Sequence, residues 1–98
     1  MADLRFTWNA SKASANVRKH RVAFTEAQTV FYDEEALLIA DPDHSETEDR
    51  FLLLGLSATL RTIMVVHVYN DDDDTIRIIS ARKATAKERA MYSQRSNR

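Results

Sequence analysis

The sequence contains no cysteine. A disulfide framework, a thiolate metal site and a cysteine nucleophile are all excluded. Glycine and proline occur once each, as Gly55 and Pro42, which rules out a Gly-rich phosphate loop, a collagen-like repeat and a Pro-rich linker. No apolar run approaches the roughly 18–20 residues needed to cross a bilayer. Met1-Ala2-Asp3-Leu4-Arg5 lacks the basic-then-apolar pattern of a signal peptide. The expectation is a cytoplasmic protein with no membrane association. With 98 residues and 44% hydrophobic content, there is material for one small core, so residues 1–98 are read as a single domain.

Charge of one sign is missing from long stretches. Residues 26–49 carry nine acidic side chains and no Lys or Arg. Residues 1–25 hold five basic side chains against one acidic, and residues 75–98 hold seven against one. Folding that joins the two basic ends would make a surface for a polyanion. The acidic middle would suit a basic partner.

Arg5-Phe6-Thr7-Trp8 alternates and reads as a short strand. Asn9 is a helix cap, and the helix runs from about Ala10 to His20. Lys12, Asn16, Lys19 and His20 share one face of it. Thr25-Glu26-Ala27-Gln28 has capping-box form and opens a second helix through about Phe31. Strands follow at Ala36–Ala40, Arg50–Leu56 and Thr62–Tyr69, the last apolar on both faces as in a central strand. A further strand spans Thr75–Lys83. Thr85-Ala86-Lys87-Glu88 is a second capping box and opens a terminal helix through about Gln94. Consecutive strands joined by short turns make an antiparallel meander, and the helices must bury their stripes on it. The class is α+β.

Asp41 to Asp49 resembles a metal loop, but a calcium loop starting at Asp41 would need glycine at Glu46 and glutamate at Leu52. The run Asp71–Asp74 suits a solvated hairpin tip. No metal site and no cofactor are expected. His20 closes the first helix beside Lys19, where it either meets the helix dipole or transfers protons. His67 interrupts an apolar strand, either as a hydrogen-bonded core residue or as a second proton carrier. With a plain four-residue turn at 71–74, His67 shares a sheet face with Ser80 and Arg82 while Arg77 lies opposite, and a one-residue bulge reverses that split. Arg77 and Arg82 interrupt a strand that ought to be central. They read either as partners of a carboxylate such as Glu48 or Glu88, or as a clamp on phosphate.

Several pieces occur together and in order. They are Phe6-Thr7-Trp8-Asn9, Lys12, Asn16, Lys19-His20, Phe24-Thr25-Glu26-Ala27, Val30-Phe31 and His44-Ser45. Then come Glu48-Asp49-Arg50-Phe51, Gly55-Leu56-Ser57, Val65-Val66-His67, Ile76-Arg77-Ile78-Ile79-Ser80-Ala81-Arg82-Lys83-Ala84, Glu88-Arg89 and Tyr92. Across residues 6–92 this resembles the BrnT family of type II toxins. The resemblance implies a RelE-like fold, a small antiparallel sheet packed with helices. It also implies RNA cleavage that inhibits translation and a BrnA-like antitoxin of the ribbon-helix-helix type, through which alone operator DNA is contacted. The acidic turn Asp71–Asp74 is unusual for an RNA binder.

The expected reaction is metal-independent RNA cleavage by the substrate's own 2′-hydroxyl, so no protein nucleophile is required. His20 and His67 are the candidates for proton transfer. Arg77 and Arg82 are the candidates for stabilising charge on phosphorus. Lys12, Lys19, Lys83 and Tyr92 are the candidates for holding the substrate. The acidic stretch Asp33–Asp49 is expected to anchor a cationic antitoxin segment. The alternative of another class is a non-enzymatic corepressor that holds a ribbon-helix-helix partner. The acidic middle favours it and the basic ends oppose it.

Overall fold

The computed structural model describes residues 4–41 and 49–96. Five strands form one sheet: β1 (Arg5–Thr7), β2 (Leu37–Ala40), β3 (Arg50–Leu56), β4 (Thr62–Asn70) and β5 (Thr75–Lys83). Their spatial order is β1-β5-β4-β3-β2. The expected meander is present from β2 to β5, all antiparallel. The three-residue β1 adds to the far edge in parallel with β5, pairing Arg5 with Thr75 and Thr7 with Arg77. The sheet is therefore mixed.

Helices α1 (Ala10–His20) and α2 (Phe24–Thr29), with the 3₁₀ turn Val30–Tyr32, pack on one side, here called the front. Their contact with the sheet buries Val22, Phe24, Ala27, Val30, Leu53, Ile63, Val65, Ile78 and Ala81 in one cluster. Each such side chain contributes about 1.5–3 kcal/mol when fully buried, Ala less. On the back, α3 (Ala86–Ser96) sets Tyr92 against a smaller cluster of Leu54, Met64 and Ala84.

Local chemistry accounts for the helix ends. The Asn9 side chain accepts from the Lys12 backbone N–H at 3.0 Å, and α1 stops where Arg21 turns left-handed at φ 60°. At α3 the Thr85–Glu88 box forms in both directions, at 3.2 and 2.9 Å. The box expected at Thr25 does not form. Helix α2 starts at Phe24 with Ala23 at its cap position, so Thr25 is already inside the helix and no side chain caps the end. Gly55 is needed for close approach: a Cβ there would lie 2.9 Å from Ala36 Cβ and 2.9 Å from Val30 Cγ1. The approach lets the Asp33 carboxylate accept from the Leu56 N–H at 2.8 Å.

The pairing of β4 with β5 shifts between Val66 and His67. His67 opposes Ile78 while Val66 opposes Ser80, so Ile79 is an extra residue. This bulge turns Ser80 and Arg82 to the back, where Arg77 already lies opposite Val68, and leaves His67 on the front. The face shared by His67 and Arg82 under a plain register is not formed. The two arginines share a face instead.

Candidate functional site

Below Arg77 the outer edge of β5 has no strand beside it, because β1 is only three residues long. Asn16 of α1 fills that place. Its side-chain amide donates to the Ala81 carbonyl at 2.8 Å and accepts from the Ala81 N–H at 3.1 Å, copying a strand's pairing. The same amide donates to the Val22 carbonyl at 2.8 Å. Asn16 is buried, so these bonds fix the register of α1 on β5.

That register decides what faces the strand. At about 100° per residue, Lys12, Lys19 and His20 all lie within roughly 60° of Asn16 around the helix. One turn before Asn16, Lys12 lines a cavity of about 330 Å³ with Arg77, Trp8 and Ile79. One turn after it, His20 descends about 6 Å, while Lys83 lies two strand residues beyond Ala81, also about 6.6 Å. Lys83 opposes Ile63 on the front face, the face α1 covers. His20 and Lys83 thus come level at the lower end of the groove, and Lys12 and Arg77 at its upper end. Arg77 also borders a cavity of about 530 Å³ walled by Asp71, Asp72 and Asp73. An anion bound at Arg77 is repelled from that side, so the path open to it runs down the groove.

The lower end of α1 is held in place. Arg61 donates to the Arg21 carbonyl at 3.0 Å and forms a two-pronged ion pair with Glu26 through Nε, at 3.0 Å, and Nη2. Glu26 also accepts from the hydroxyls of Ser57, at 2.7 Å, and Thr59. The Arg61 bonds, opposed by burial and helped by the two hydroxyls, hold the Glu26 carboxyl down at about 2.

The remaining candidates lie elsewhere. His67 is 4% exposed, with Phe31 edge-on at 4.8 Å and Phe51 at 6.2 Å between ring centres. Burial pushes its pKa below 6.5. Arg61 and His67 are six residues apart on one extended run, roughly 20 Å, so the two histidines are not brought together. Arg82 points to the back and grips Glu88 with two bonds, 2.8 and 3.0 Å, which matches the carboxylate-partner reading. The Arg82 bonds are also the main reason the Glu88 carboxyl is held at about 2. Tyr92 donates to Asp33 at 2.6 Å, and burial together with that carboxylate pushes its hydroxyl up to about 12.

Sequence reasoning left Asn16, Arg61 and Glu26 out of the site. Asn16 had a signal, being the uncharged member of the Lys12–His20 stripe. The Arg61–Glu26 pair, 35 residues apart, had none. Among the described residues no three His, Asp or Glu side chains cluster as metal ligands, and no helix is long and apolar enough to cross a membrane. His44 and its neighbours at 42–48 lie outside the described residues.

Residues 8–88 match the family described as ribonuclease toxin, BrnT, of type II toxin-antitoxin system. The chain belongs to the BrnT family. It is a ribonuclease toxin whose substrate is RNA and whose partner is an antitoxin protein. Its fold is similar to that in the 1.1 Å crystal structure of the Brucella abortus ribonuclease toxin BrnT. The two share 20% identity with a TM-score of 0.63, over 85% of this chain and 99% of that one. No curated protein matches this BrnT-family sequence.

Proposed function

We propose that this BrnT-family toxin cuts RNA in the groove between α1 and the open edge of β5, without a metal ion. The observation that carries the reading is the Asn16–Ala81 pairing, which sets the Lys12–His20 stripe against the Arg77–Lys83 edge. The substrate's 2′-hydroxyl attacks the adjacent phosphorus, His20 takes its proton, and the 5′-oxygen leaves and is protonated by water. Histidine suits this work because its charge changes near neutral pH. Arg77, Lys12, Lys19 and Lys83 hold the phosphates and offset the charge that grows on the non-bridging oxygens. His67, Arg82 and Tyr92 belong to the scaffold under this reading. Residues 1–98 act as one domain in the cytoplasm, where translated RNA is found. A BrnA-like ribbon-helix-helix antitoxin neutralises the toxin, and operator DNA is reached only through that partner.

Purified protein in EDTA should cleave RNA and leave 2′,3′-cyclic phosphate or 3′-phosphate ends. An RNA with one 2′-deoxy nucleotide at the cleaved position should survive there. Activity that disappears in EDTA and returns with a divalent ion would exclude the metal-free reaction.

A further inference from the structure

The front of the sheet is covered by α1 and α2 over only part of its area. Beyond Phe31 no described residue covers the strands, which surround a cavity of about 450 Å³. Its floor and walls come from four strands, with Leu38, Phe51, His67 and Ile76 among them. These residues share the front face by register: Ala40 opposes Phe51, Phe51 opposes His67, and Tyr69 opposes Ile76. Three large apolar or aromatic side chains stand exposed nearby. Leu38 is 63% exposed and Tyr69 47% on the lining itself, and Tyr32, at 62%, ends the 3₁₀ turn that supplies Phe31. An uncovered apolar patch of this kind is a mark of an interaction site.

The charged side chain on the lining is acidic, and the nearby Arg95 is engaged with the Glu35 carbonyl at 3.2 Å. Among the described residues no Lys or Arg lines the cavity. Asp33 lines it, and the exposed Glu34 and Glu35 follow at the turn into β2. Across the cavity, the Tyr69 hydroxyl donates to Asp74 in the hairpin. An apolar hollow with acid on two sides repels RNA and accepts an apolar side chain flanked by Lys or Arg.

We propose that this front-face hollow is the main docking site of the antitoxin, taking an apolar residue of a cationic, amphipathic antitoxin segment beside Leu38 and Tyr69. The inference rests on the family's antitoxin and leaves the cleavage groove out of the contact. Leu38 on β2 is three strands, about 14 Å, from β5, and Ile76, where β5 borders the hollow, precedes the Arg77–Lys83 stretch along which the groove runs. A buried apolar contact sets the dissociation rate, and the acidic rim sets the association rate.

The test is binding of the full chain to the antitoxin encoded with it, by surface kinetics, alongside RNA cleavage by the free toxin. Leu38→Glu, at an exposed position that folding does not need, should weaken the complex about 30-fold, mostly through faster dissociation. Glu34→Gln with Glu35→Gln should slow association at low salt and have little effect at about 0.5 M salt. Both variants should cleave RNA as the wild type does. Unchanged affinity in Leu38→Glu would overturn the proposal. So would a dimer of the free toxin that Leu38→Glu dissolves while antitoxin affinity is kept, because the hollow would then be a self-interface. A wild-type chain that cuts no RNA would contradict the cleavage reading alone, since the effect of Leu38→Glu on antitoxin affinity is measured separately.

Discussion

His67 sits where its protonated form finds little support. Its ring lies between Phe31 and Phe51, and Nδ1 is 3.4 Å from the Val65 carbonyl. Burial depresses the folded-state pKa below 6.5, so the unfolded chain binds more protons there. The resulting contribution to stability is full above pH 6.5 and declines as pH falls below it. Glu26 and Glu88 act over a lower range. Each drops from 4.5 to about 2 on folding, so their contribution is full above 4.5 and is lost as pH falls toward 2. Stability measured by denaturant should therefore fall in two stages on acidification. His67→Phe should flatten the first stage, and Glu26→Gln should shrink the second. A first stage of undiminished size in His67→Phe would mean that another group titrates there.

At the scale of elements, the joint between α1 and β5 matters most. Asn16→Ala would strand the Ala81 N–H and carbonyl and the Val22 carbonyl, all of which the Asn16 side chain now satisfies. The expected cost is about 3 kcal/mol. Because the pairing also sets the helix register, cleavage should fall even where the variant is folded. The check is a calorimetric melt beside a cleavage assay; full cleavage from a destabilised Asn16→Ala would show that the register does not matter. Helix α1 was legible from the sequence because its signals are local: Asn9 at the start, and Arg18, Lys19 and His20 where the dipole favours cations. Strand β5 was legible from its apolar run. The bulge at Ile79 was not, since nothing in that residue marks it, and one unmarked residue moved Arg82 to the other face. The false capping box at Thr25 has the opposite origin. The local pattern was present, but α2 starts at Phe24, which the core buries, so Thr25 lies inside the helix and cannot cap it.

The charge pattern of the whole chain becomes spatial on folding. The basic ends meet, since α1 with Lys12 and Lys19 lies along β5 with Arg77 and Lys83. Acid collects at the β2 side, with Asp33, Glu34 and Glu35, and at the hairpin tip. The sequence separated these charges, but only the sheet order put the basic α1–β5 edge and the acidic β2 edge on opposite sides of one molecule, with the acids of the hairpin tip beside Arg77. The same order explains why the candidate site was only partly readable: grouping by residue type paired two histidines that the strands hold apart. The most direct test of the account is the single-turnover rate of RNA cleavage in EDTA by His20→Gln and His67→Phe, each verified as folded. The account predicts that His20→Gln is slowed about 100-fold or more, the usual worth of a positioned proton carrier, and that His67→Phe stays close to the wild-type rate. A His20→Gln protein that cleaves at the wild-type rate, or a folded His67→Phe protein that does not cleave, would contradict it.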